Sequence, residues 1–456
     1  MNRLMEGGLE DRLSLEGLHS SVAVPETGSG VGFWKHYVAF AGPALLVSVG
    51  YMDPGNWATD LEGGARFKYA LLWVVAASSL MAIVLQAISA RLGVVTGKDL
   101  AQASRDYYPV WTRWPNWLMT ELAIAACDLA EVLGSAVAIH LLFHIPLIYA
   151  VCITAFDVLL LLSLQSVGMR FMEALIGVLV LTIAGCYFTE LFILPQTTPS
   201  FMEMGHALVR PSLGAPGMVY VAIGIIGATV MPHNLYLHSA LVQTRKFQKD
   251  EPSIRRAIRF NTIDSVVSLT GAFLVNAAIL VLAAITFFGK SSVTLPSGQV
   301  VIFGHDWIQE AYLTLAPILG ATAASVLFAV ALLASGQSST VTGTLAGQVV
   351  MEGFMHWRIR PWLRRVITRG LAIVPAILVI AWKGPEKVTD LLTLSQVVLG
   401  AQLPFAMIPL LQFTSSKKYM GKFANGWFLK LAGWGACLLI TALDLYGLYG
   451  ILFPKA

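Results

Sequence analysis

Two short segments with the same pattern, Asp53-Pro54-Gly55-Asn56 and Met231-Pro232-His233-Asn234, decide the fold of this chain. Each lies near the middle of a long apolar run, at residues 38–65 and 217–243. Because proline cannot donate to the helical hydrogen-bond ladder and clashes with the carbonyl one turn earlier, each run should unwind there. In lipid, unwound backbone is tolerated only where it is buried in protein or lines a wet cavity. A simple proline kink is the alternative, and the matched pair of breaks disfavours it.

The composition indicates a membrane protein. Of the 456 residues, 56% are hydrophobic and only 12% are charged, whereas soluble domains carry about 25% charged residues. The net charge of +4 is too small to indicate nucleic-acid binding. All the cysteines lie in apolar runs without metal-ligand spacing, so we expect neither disulfides, nor a zinc site, nor a cofactor. They are Cys127, Cys152, Cys186 and Cys437.

Apolar runs long enough to cross the bilayer, which takes about 20 helical residues, recur from residue 38 to the end of the chain. We predict eleven membrane-spanning helices after a polar tail, residues 1–34, which has no signal-peptide pattern. The predicted spans are 38–65, 69–95, 116–142, 146–164, 171–194, 217–243, 259–288, 311–352, 364–382, 388–412 and 425–453.

The eighth run is longer than one span requires and contains the polar segment 335–340, so it could form one helix or two. With one helix, most lysines and arginines lie on the side of the amino terminus. Two helices would move the arginines from Arg358 onward to the outside, against the positive-inside rule. We therefore expect the eighth run to form one helix. The whole chain is expected in the inner (cytoplasmic) membrane of the cell, with its amino terminus in the cytoplasm and its carboxyl terminus outside.

The broken helices are the first and the sixth span, and this placement predicts two five-span repeats of opposite topology around a site at the membrane midplane. The chain also has no large soluble insert and no phosphate-binding loop, which argues against an ATP-driven pump or an enzyme. The expected division is a cytoplasmic tail (1–34), a first repeat (35–194), an extracellular loop (195–215), a second repeat (216–412), and a cytoplasmic loop with the eleventh span (413–456).

The side chains at the breaks indicate a cation site. An acidic residue at the bilayer centre costs at least about 2.5 kcal/mol unless it is paired, protonated or bound to a cation, so Asp53 is functional by default. Asn56 adds an amide oxygen, the unwinding before Pro232 should free the carbonyl of Ala228, and Met231 adds a thioether. Sulfur suits Mn²⁺, Fe²⁺ and later metals better than Mg²⁺ or Ca²⁺. Methionine packing is the alternative for Met231.

Three acidic residues on the third span, Glu121, Asp128 and Glu131, share one helical face. Beside a cation site, such a series is typical of a proton route, and a buried ion pair is the main alternative. His233 and His238 could join this route because imidazole titrates near neutral pH, or they could be satisfied core histidines.

Other polar residues in the spans are less specific. Asn276 and Gln396 could line the cavity or simply bond between helices. Arg364 and Arg365, at the inner end of the ninth span, are interpreted as topology anchors. The sequence gives Asp157 no partner.

The chain resembles the Nramp family of divalent metal transporters, in particular the bacterial proton-coupled manganese transporters, from about residue 38 to 453. The segments that carry the resemblance are Tyr51-Met52-Asp53-Pro54-Gly55-Asn56, the run Ala228 to Ser239, Asp128-Leu129-Ala130-Glu131 and Gly343 to Gln348. The resemblance implies an all-helical, LeuT-like inverted-repeat membrane fold and proton-coupled import of Mn²⁺ or Fe²⁺. It implies metal binding by Asp53, Asn56, the carbonyl of Ala228, Met231 and Gln396, and proton coupling by Asp53, Asp128, Glu131 and His233.

The expected partners are therefore divalent metal ions, protons and the lipid bilayer, without nucleic acid or an obligatory protein partner. Two alternatives remain at this point. One is a proton- or sodium-coupled carrier of small solutes such as amino acids, with the same fold. The other is a magnesium-transporting relative, which the presence of Met231 disfavours. The long amino-terminal tail is not explained by the family pattern.

Overall fold

The computed structural model of the protein describes residues 14–15, 18–25, 32–156, 168–193, 199–295, 298, 300–304, 306–319, 323–357, 359–384 and 387–452. The helices, in chain order, are α1 (Phe33–Phe40), α2 (Pro43–Ser48), α3 (Pro54–Phe67), α4 (Leu72–Thr96), α5 (Leu100–Tyr107), α6 (Arg113–Phe143), α7 (Leu147–Ile153), α8 (Met169–Phe188), α9 (Phe201–Val209), α10 (Met218–Val230), α11 (Pro232–Leu241), α12 (Glu251–Thr286), α13 (Trp307–Leu319), α14 (Ala323–Met355), α15 (Pro361–Lys383), α16 (Val388–Ser415), α17 (Lys417–Met420) and α18 (Trp427–Leu452).

The described strands are short and form two small sheets. They are β1 (Val22–Ala23), β2 (Arg245–Lys246), β3 (Ser292–Thr294) and β4 (Val300–Ile302). Strands β1 and β2 pair in parallel and join the tail to the end of the sixth span, while β3 and β4 form an antiparallel hairpin between α12 and α13.

Nine helices in the described part of the chain are long and apolar enough to cross a membrane. They correspond to the predicted second, third and fifth to eleventh spans. The predicted first span is divided into the shorter segments Pro43–Met52 and Pro54–Phe67. The predicted fourth span is described only as Leu147–Phe156, because residues 157–164 lie outside the described ranges, as does Asp157.

The long apolar run of the eighth span forms one helix through its polar segment, as predicted, because α14 continues from Ala323 to Met355 without a break at 335–340. The predicted amino-terminal boundary at residue 311 is wrong, because residues 311–319 belong to the separate helix α13. The division of the whole chain into two repeats and connecting loops remains a prediction.

Both predicted breaks are present. Asp53 is extended (φ −69°, ψ 166°) between a short 3-10 turn at Gly50–Met52 and α3, and Met231 has a positive φ of 34° between α10 and α11. Each following helix has its proline, Pro54 or Pro232, in the first position, where the missing N–H has no helical partner to lose. Each proline therefore begins a new helix instead of kinking a continuous one.

The packing places both breaks in the interior. Helix α3 packs against α12, α10 and α16, and α6 packs against α14, α16 and α15. The apolar core is continuous through these helices, and the residues at the breaks are buried within it. A site at this depth is therefore surrounded by protein, as unwound backbone in a membrane requires.

Candidate functional site

The two breaks meet across a hydrogen bond. The side-chain amide nitrogen of Asn56 donates to the backbone carbonyl of Ala228 over 3.0 Å. This carbonyl lies one turn before Pro232, whose lack of an N–H leaves the oxygen free to accept from another helix. The freed Ala228 carbonyl and Asn56, predicted from the sequence as neighbours, are therefore in direct contact.

Three oxygen atoms converge on the amide nitrogen of Asn56. Besides Ala228, it donates to Oδ1 of Asp53 over 2.8 Å and to the carbonyl of Gly50 over 3.3 Å. The second carboxylate oxygen of Asp53, Oδ2, is buried and has no hydrogen-bond partner within the described ranges. A cluster of acceptors around one positively polarised group, with one carboxylate oxygen still unused, is suited to a small cation. We call Asp53, Asn56, Ala228 and Gly50 the oxygen cage.

The oxygen of the Asn56 amide is also held. Asn276 on α12 donates to it over 3.3 Å and to the carbonyl of Tyr51, in the first break, over 2.7 Å. Asn276, for which the sequence left cavity lining and interhelical bonding open, makes the interhelical bonds and fixes the orientation of Asn56 at the same time.

The thioether of Met231 lies beside the oxygen cage. Its side chain is buried, and its sulfur accepts a hydrogen bond from the Asn234 amide over 3.5 Å. Gly50 lies against the same two side chains, so that a Cβ added there would collide with Asn234 and press on the Met231 sulfur. Only glycine allows the first break to approach the thioether this closely, and the sulfur is therefore next to a residue of the oxygen cage.

Gln396 approaches from α16. Its side-chain amide lies so close to Gly55 that a Cβ on this glycine would overlap it. The amide nitrogen bonds to the Ser395 hydroxyl, whereas the amide oxygen is buried without a partner in the described chain. Gln396 therefore brings an unused oxygen to the segment between Asp53 and Asn56.

The carboxylates of the third span are all paired with arginines of α15. Arg365 bonds Asp128 over 2.5 Å and Glu131 over 3.1 Å, and Arg364 bonds both oxygens of Glu121 over 2.8 and 2.9 Å. The interpretation of Arg364 and Arg365 as topology anchors is wrong, because both are buried in these ion pairs. We call the three carboxylates and their arginines the ion-pair ladder.

The polar segment of α14 links the ion-pair ladder to the first break. Ser339 and Thr340 donate to the carboxylate of Glu131 over 2.9 and 3.2 Å, and Ser335 donates to the carbonyl of Met52 over 2.5 Å. Arg369 donates to the Thr340 hydroxyl. The sequence marked 335–340 only as a polar interruption, and the spacing of its hydroxyls, four and five residues from Ser335 and so about one turn, was the signal for these contacts.

The two histidines have different surroundings. His233 is buried at the start of α11, and its Nδ1 has no hydrogen-bond partner among the described residues. His238 is one turn further along α11 and bonds the Gln86 oxygen over 2.9 Å, while the Gln86 nitrogen donates to the Tyr51 hydroxyl over 2.7 Å. His238 therefore reaches the first break through Gln86 and Tyr51, a connection that the sequence did not indicate.

No group of three or more histidine, cysteine or acidic side chains arranged for a metal occurs in the described part of the chain. A cation at the breaks would therefore be held by one carboxylate with amide, carbonyl and thioether groups. This set of ligands carries only one negative charge, so it can release the ion as well as bind it.

The fold and the site define a multi-span membrane protein of the carrier type, built around two broken helices. The family model described as natural resistance-associated macrophage protein-like (Nramp) matches residues 44–450. The chain belongs to the Nramp family.

Relatives support this assignment along the whole chain. The protein named divalent metal cation transporter MntH of Nostoc sp. is 50% identical over 435 residues, which covers 95% of each chain. That of Mesorhizobium japonicum is 49% identical over 450 residues, covering 97% of this chain and 95% of the relative.

Solved structures agree with the fold. The crystal structure of a mutant of the Eremococcus coleocola manganese transporter matches with a TM-score of 0.86 and 38% identity, over 98% of this chain and 93% of that one. Mhp1, a nucleobase-cation-symport-1 family transporter, matches with a TM-score of 0.54 and 13% identity over 91% and 94% of the two chains. The likeness to Mhp1 concerns the fold alone, and together the matches confirm the predicted all-helical, LeuT-like architecture.

Proposed function

We propose that this chain imports divalent transition metal ions, Mn²⁺ and also Fe²⁺, across the cytoplasmic membrane of a bacterial cell, coupled to protons and by alternating access. It acts as a carrier and not as a catalyst. The named functions of the MntH relatives and of the manganese transporter support the metal. The proposed orientation has the amino terminus in the cytoplasm and the carboxyl terminus outside.

The observation that carries the proposal is the oxygen cage. The amide nitrogen of Asn56 occupies the position at which Asp53 Oδ1 and the carbonyls of Ala228 and Gly50 converge, and it stands in for a cation there. For a cation to take this position, the Asn56 amide nitrogen has to withdraw from it, and the Asn56 oxygen has to give up the bond from Asn276 in order to become a ligand. Asp53 would supply the charge of the site, with the unpartnered oxygens of Asp53 and Gln396 available to the ion.

The metal preference follows from Met231. A thioether beside hard oxygen ligands adds little for Mg²⁺ or Ca²⁺, whereas Mn²⁺ and Fe²⁺ accept it. This argues against the magnesium-transporting alternative. An amino-acid carrier of the same fold is disfavoured by Asp53, because a fixed carboxylate with an unpaired oxygen repels the carboxylate of such a substrate.

The proton route in this proposal consists of Asp53, the ion-pair ladder and the histidines. Asp53 releases or accepts its proton as the dication binds or leaves, since the two positive species compete for one carboxylate. Asp128, Glu131 and His233 receive the proton, and Glu121 and His238 lie further along the route. The membrane potential assists import by about 2.3 kcal/mol per charge and 100 mV.

The test is Mn²⁺ uptake into proteoliposomes with internal pH recorded at the same time. Asp53→Asn keeps the size of the side chain and removes its charge, and we expect it to abolish Mn²⁺ uptake. Asp444→Asn is the matched control, because Asp444 is another membrane-embedded carboxyl, on α18, and has an unpartnered Oδ2 in the described structure. Near-normal uptake by Asp53→Asn would remove the carboxylate from the site, and uptake without any change of internal pH would remove the proton coupling.

A further inference from the structure

The polar tail is not detached from the membrane helices. Ser14, Leu15 and Val22 are buried, although they precede the first helix. The backbone N–H of Leu15 donates to the Glu352 carboxylate over 3.1 Å, and that of Ser20 donates to the carbonyl of Gln243 over 3.0 Å. The pairing of Val22 and Ala23 in β1 with β2 extends the second contact.

These contacts join two different parts of the molecule. Glu352 lies in the last turn of α14, whereas Gln243 and β2 directly follow α11, the second half of the broken sixth span. Helix α5 makes a parallel connection, since the Leu100 N–H donates to Ser239 on α11 and Arg105 donates to the carbonyl of Gly353. The tail is therefore a second connection between α11 and α14, in addition to α5.

The tail borders a pocket at its carboxyl end, next to the strand pairing. A cavity of about 430 Å³ separates Ala23 and Val24 from Phe40, Phe247 and neighbouring side chains at the start of α12. Strand pairing over only two residues, beside an open pocket, is typical of segments that open locally at small free energies.

We propose that the described residues of the tail, 14–15 and 18–25, act as a clasp that holds the ends of α11 and α14 together, and that this clasp must be released before the site can open toward the side where the tail lies. The inference rests on the proposed alternating access, but it does not depend on which ion is transported. Without the clasp, the ends of α11 and α14 separate more often. The oxygen cage lies near the opposite end of α11, so its residues and their contacts are unchanged.

Hydrogen–deuterium exchange of the full-length transporter without metal tests the clasp. Leu15→Asp and Val22→Asp place a charge at the two buried anchors, and we expect exchange over residues 99–107 and 243–246 to rise by about tenfold or more, as loss of a buried aliphatic anchor predicts. Ser21→Asp and Ala23→Asp are matched controls, because they add the same charge at exposed positions of the same segment. These controls should exchange like the unmodified protein.

Unchanged exchange in the two anchor variants, or an equal rise in the two controls, would overturn the clasp. If the anchor variants do not fold, a cross-link gives the answer. Ala23 and Lys246 are directly paired and both exposed, so Ala23→Cys with Lys246→Cys, in a Cys152→Ser background, should form a disulfide readily. The oxidised protein should exchange more slowly over 243–246 than the reduced one, and absence of the cross-link would equally refute the docking of the tail. Because neither measurement uses transport, failure of the clasp is distinguishable from failure of the proposed metal function.

Discussion

Replacement of Arg365 by methionine should strongly destabilise the protein. The guanidinium is 1% exposed and bonds two carboxylates of α6, Asp128 over 2.5 Å and Glu131 over 3.1 Å. Arg369 remains nearby after the change, but it is 3.8 Å from Glu131, and it donates to the Asp128 carbonyl and to the Thr340 hydroxyl. Arg365→Met would therefore leave two buried carboxylates, Asp128 and Glu131, with one nearby cation, Arg369.

The magnitude follows from burial. Removing one partner of a buried pair costs about 3–5 kcal/mol, because the remaining charge has lost its compensation and cannot reach water. For a chain of this size, such a loss should lower the unfolding temperature by about 3–5 °C. Protonation of one stranded carboxyl removes its charge, so the deficit should be largest at alkaline pH and shrink as the pH falls.

Thermal unfolding in detergent, measured from about pH 5 to about pH 8, tests this expectation. Arg255→Met is the control, since Arg255 makes an ion pair of similar length, 2.9 Å to Glu251, but on the surface, where such pairs contribute little. Adding Asp128→Asn to Arg365→Met should recover part of the loss, because one stranded charge is gone. A deficit no larger than that of Arg255→Met, or one that grows toward acidic pH, would refute the argument.

Three further changes test the site and its surroundings. Met231→Ala should retain part of the Mn²⁺ uptake while Ca²⁺ and Mg²⁺ become competitors in a radiotracer assay, and unchanged exclusion of Ca²⁺ would contradict the role of the sulfur. Glu131→Gln should flatten the pH dependence of Mn²⁺ uptake more than it changes the apparent affinity, and an unaltered pH profile would exclude the third span from the proton route. Burial raises the pKa of Asp99 to about 6, against the hydrogen bond that its carboxylate accepts from the Gln102 backbone. An acidic group with a raised pKa destabilises the folded state at pH values above that pKa. Asp99→Asn should therefore raise the unfolding temperature near pH 7, and this gain should fade as the pH falls from about 6 to about 4. An equal gain near pH 7 and near pH 4 would be inconsistent with that pKa.

The breaks were predictable because their cause is local. Pro54 and Pro232 begin new helices at the predicted points, each followed two residues later by an asparagine in the same short pattern. Proline alone is not sufficient, because Pro375 in α15 and both Pro404 and Pro409 in α16 lie inside continuous helices. The continuity of α14 was predictable for a different reason, since the distribution of lysine and arginine constrains the number of crossings. Boundaries set by packing, such as the separation of α13 from α14, have no comparable local signal.

The partners of the buried charges were not predictable in the same way. Arg365 and Asp128 are far apart in the chain and meet only because α15 docks on α6. An arginine near the inner end of a span has the same pattern whether it anchors the helix at the surface or turns inward to a carboxylate. The competing interpretation of the third span, a buried ion pair, describes its geometry correctly, whereas its part in proton transfer remains a prediction.

The metal site and the proton route in the proposed mechanism need a physical connection, and α14 offers one. Ser335 bonds the carbonyl of Met52, next to Asp53, while Ser339 and Thr340, one turn further along, bond Glu131 of the ion-pair ladder. A change of charge at Asp53 that moves the first break would also displace Ser335. Because α14 is a continuous helix, this displacement would reach the hydroxyls of Ser339 and Thr340, which bond Glu131. Weakening those two hydrogen bonds favours the protonated form of Glu131, because hydroxyl donors stabilise the carboxylate. Ser335→Ala should therefore loosen the coupling between metal and proton fluxes while leaving the oxygen cage and the ion-pair ladder in place.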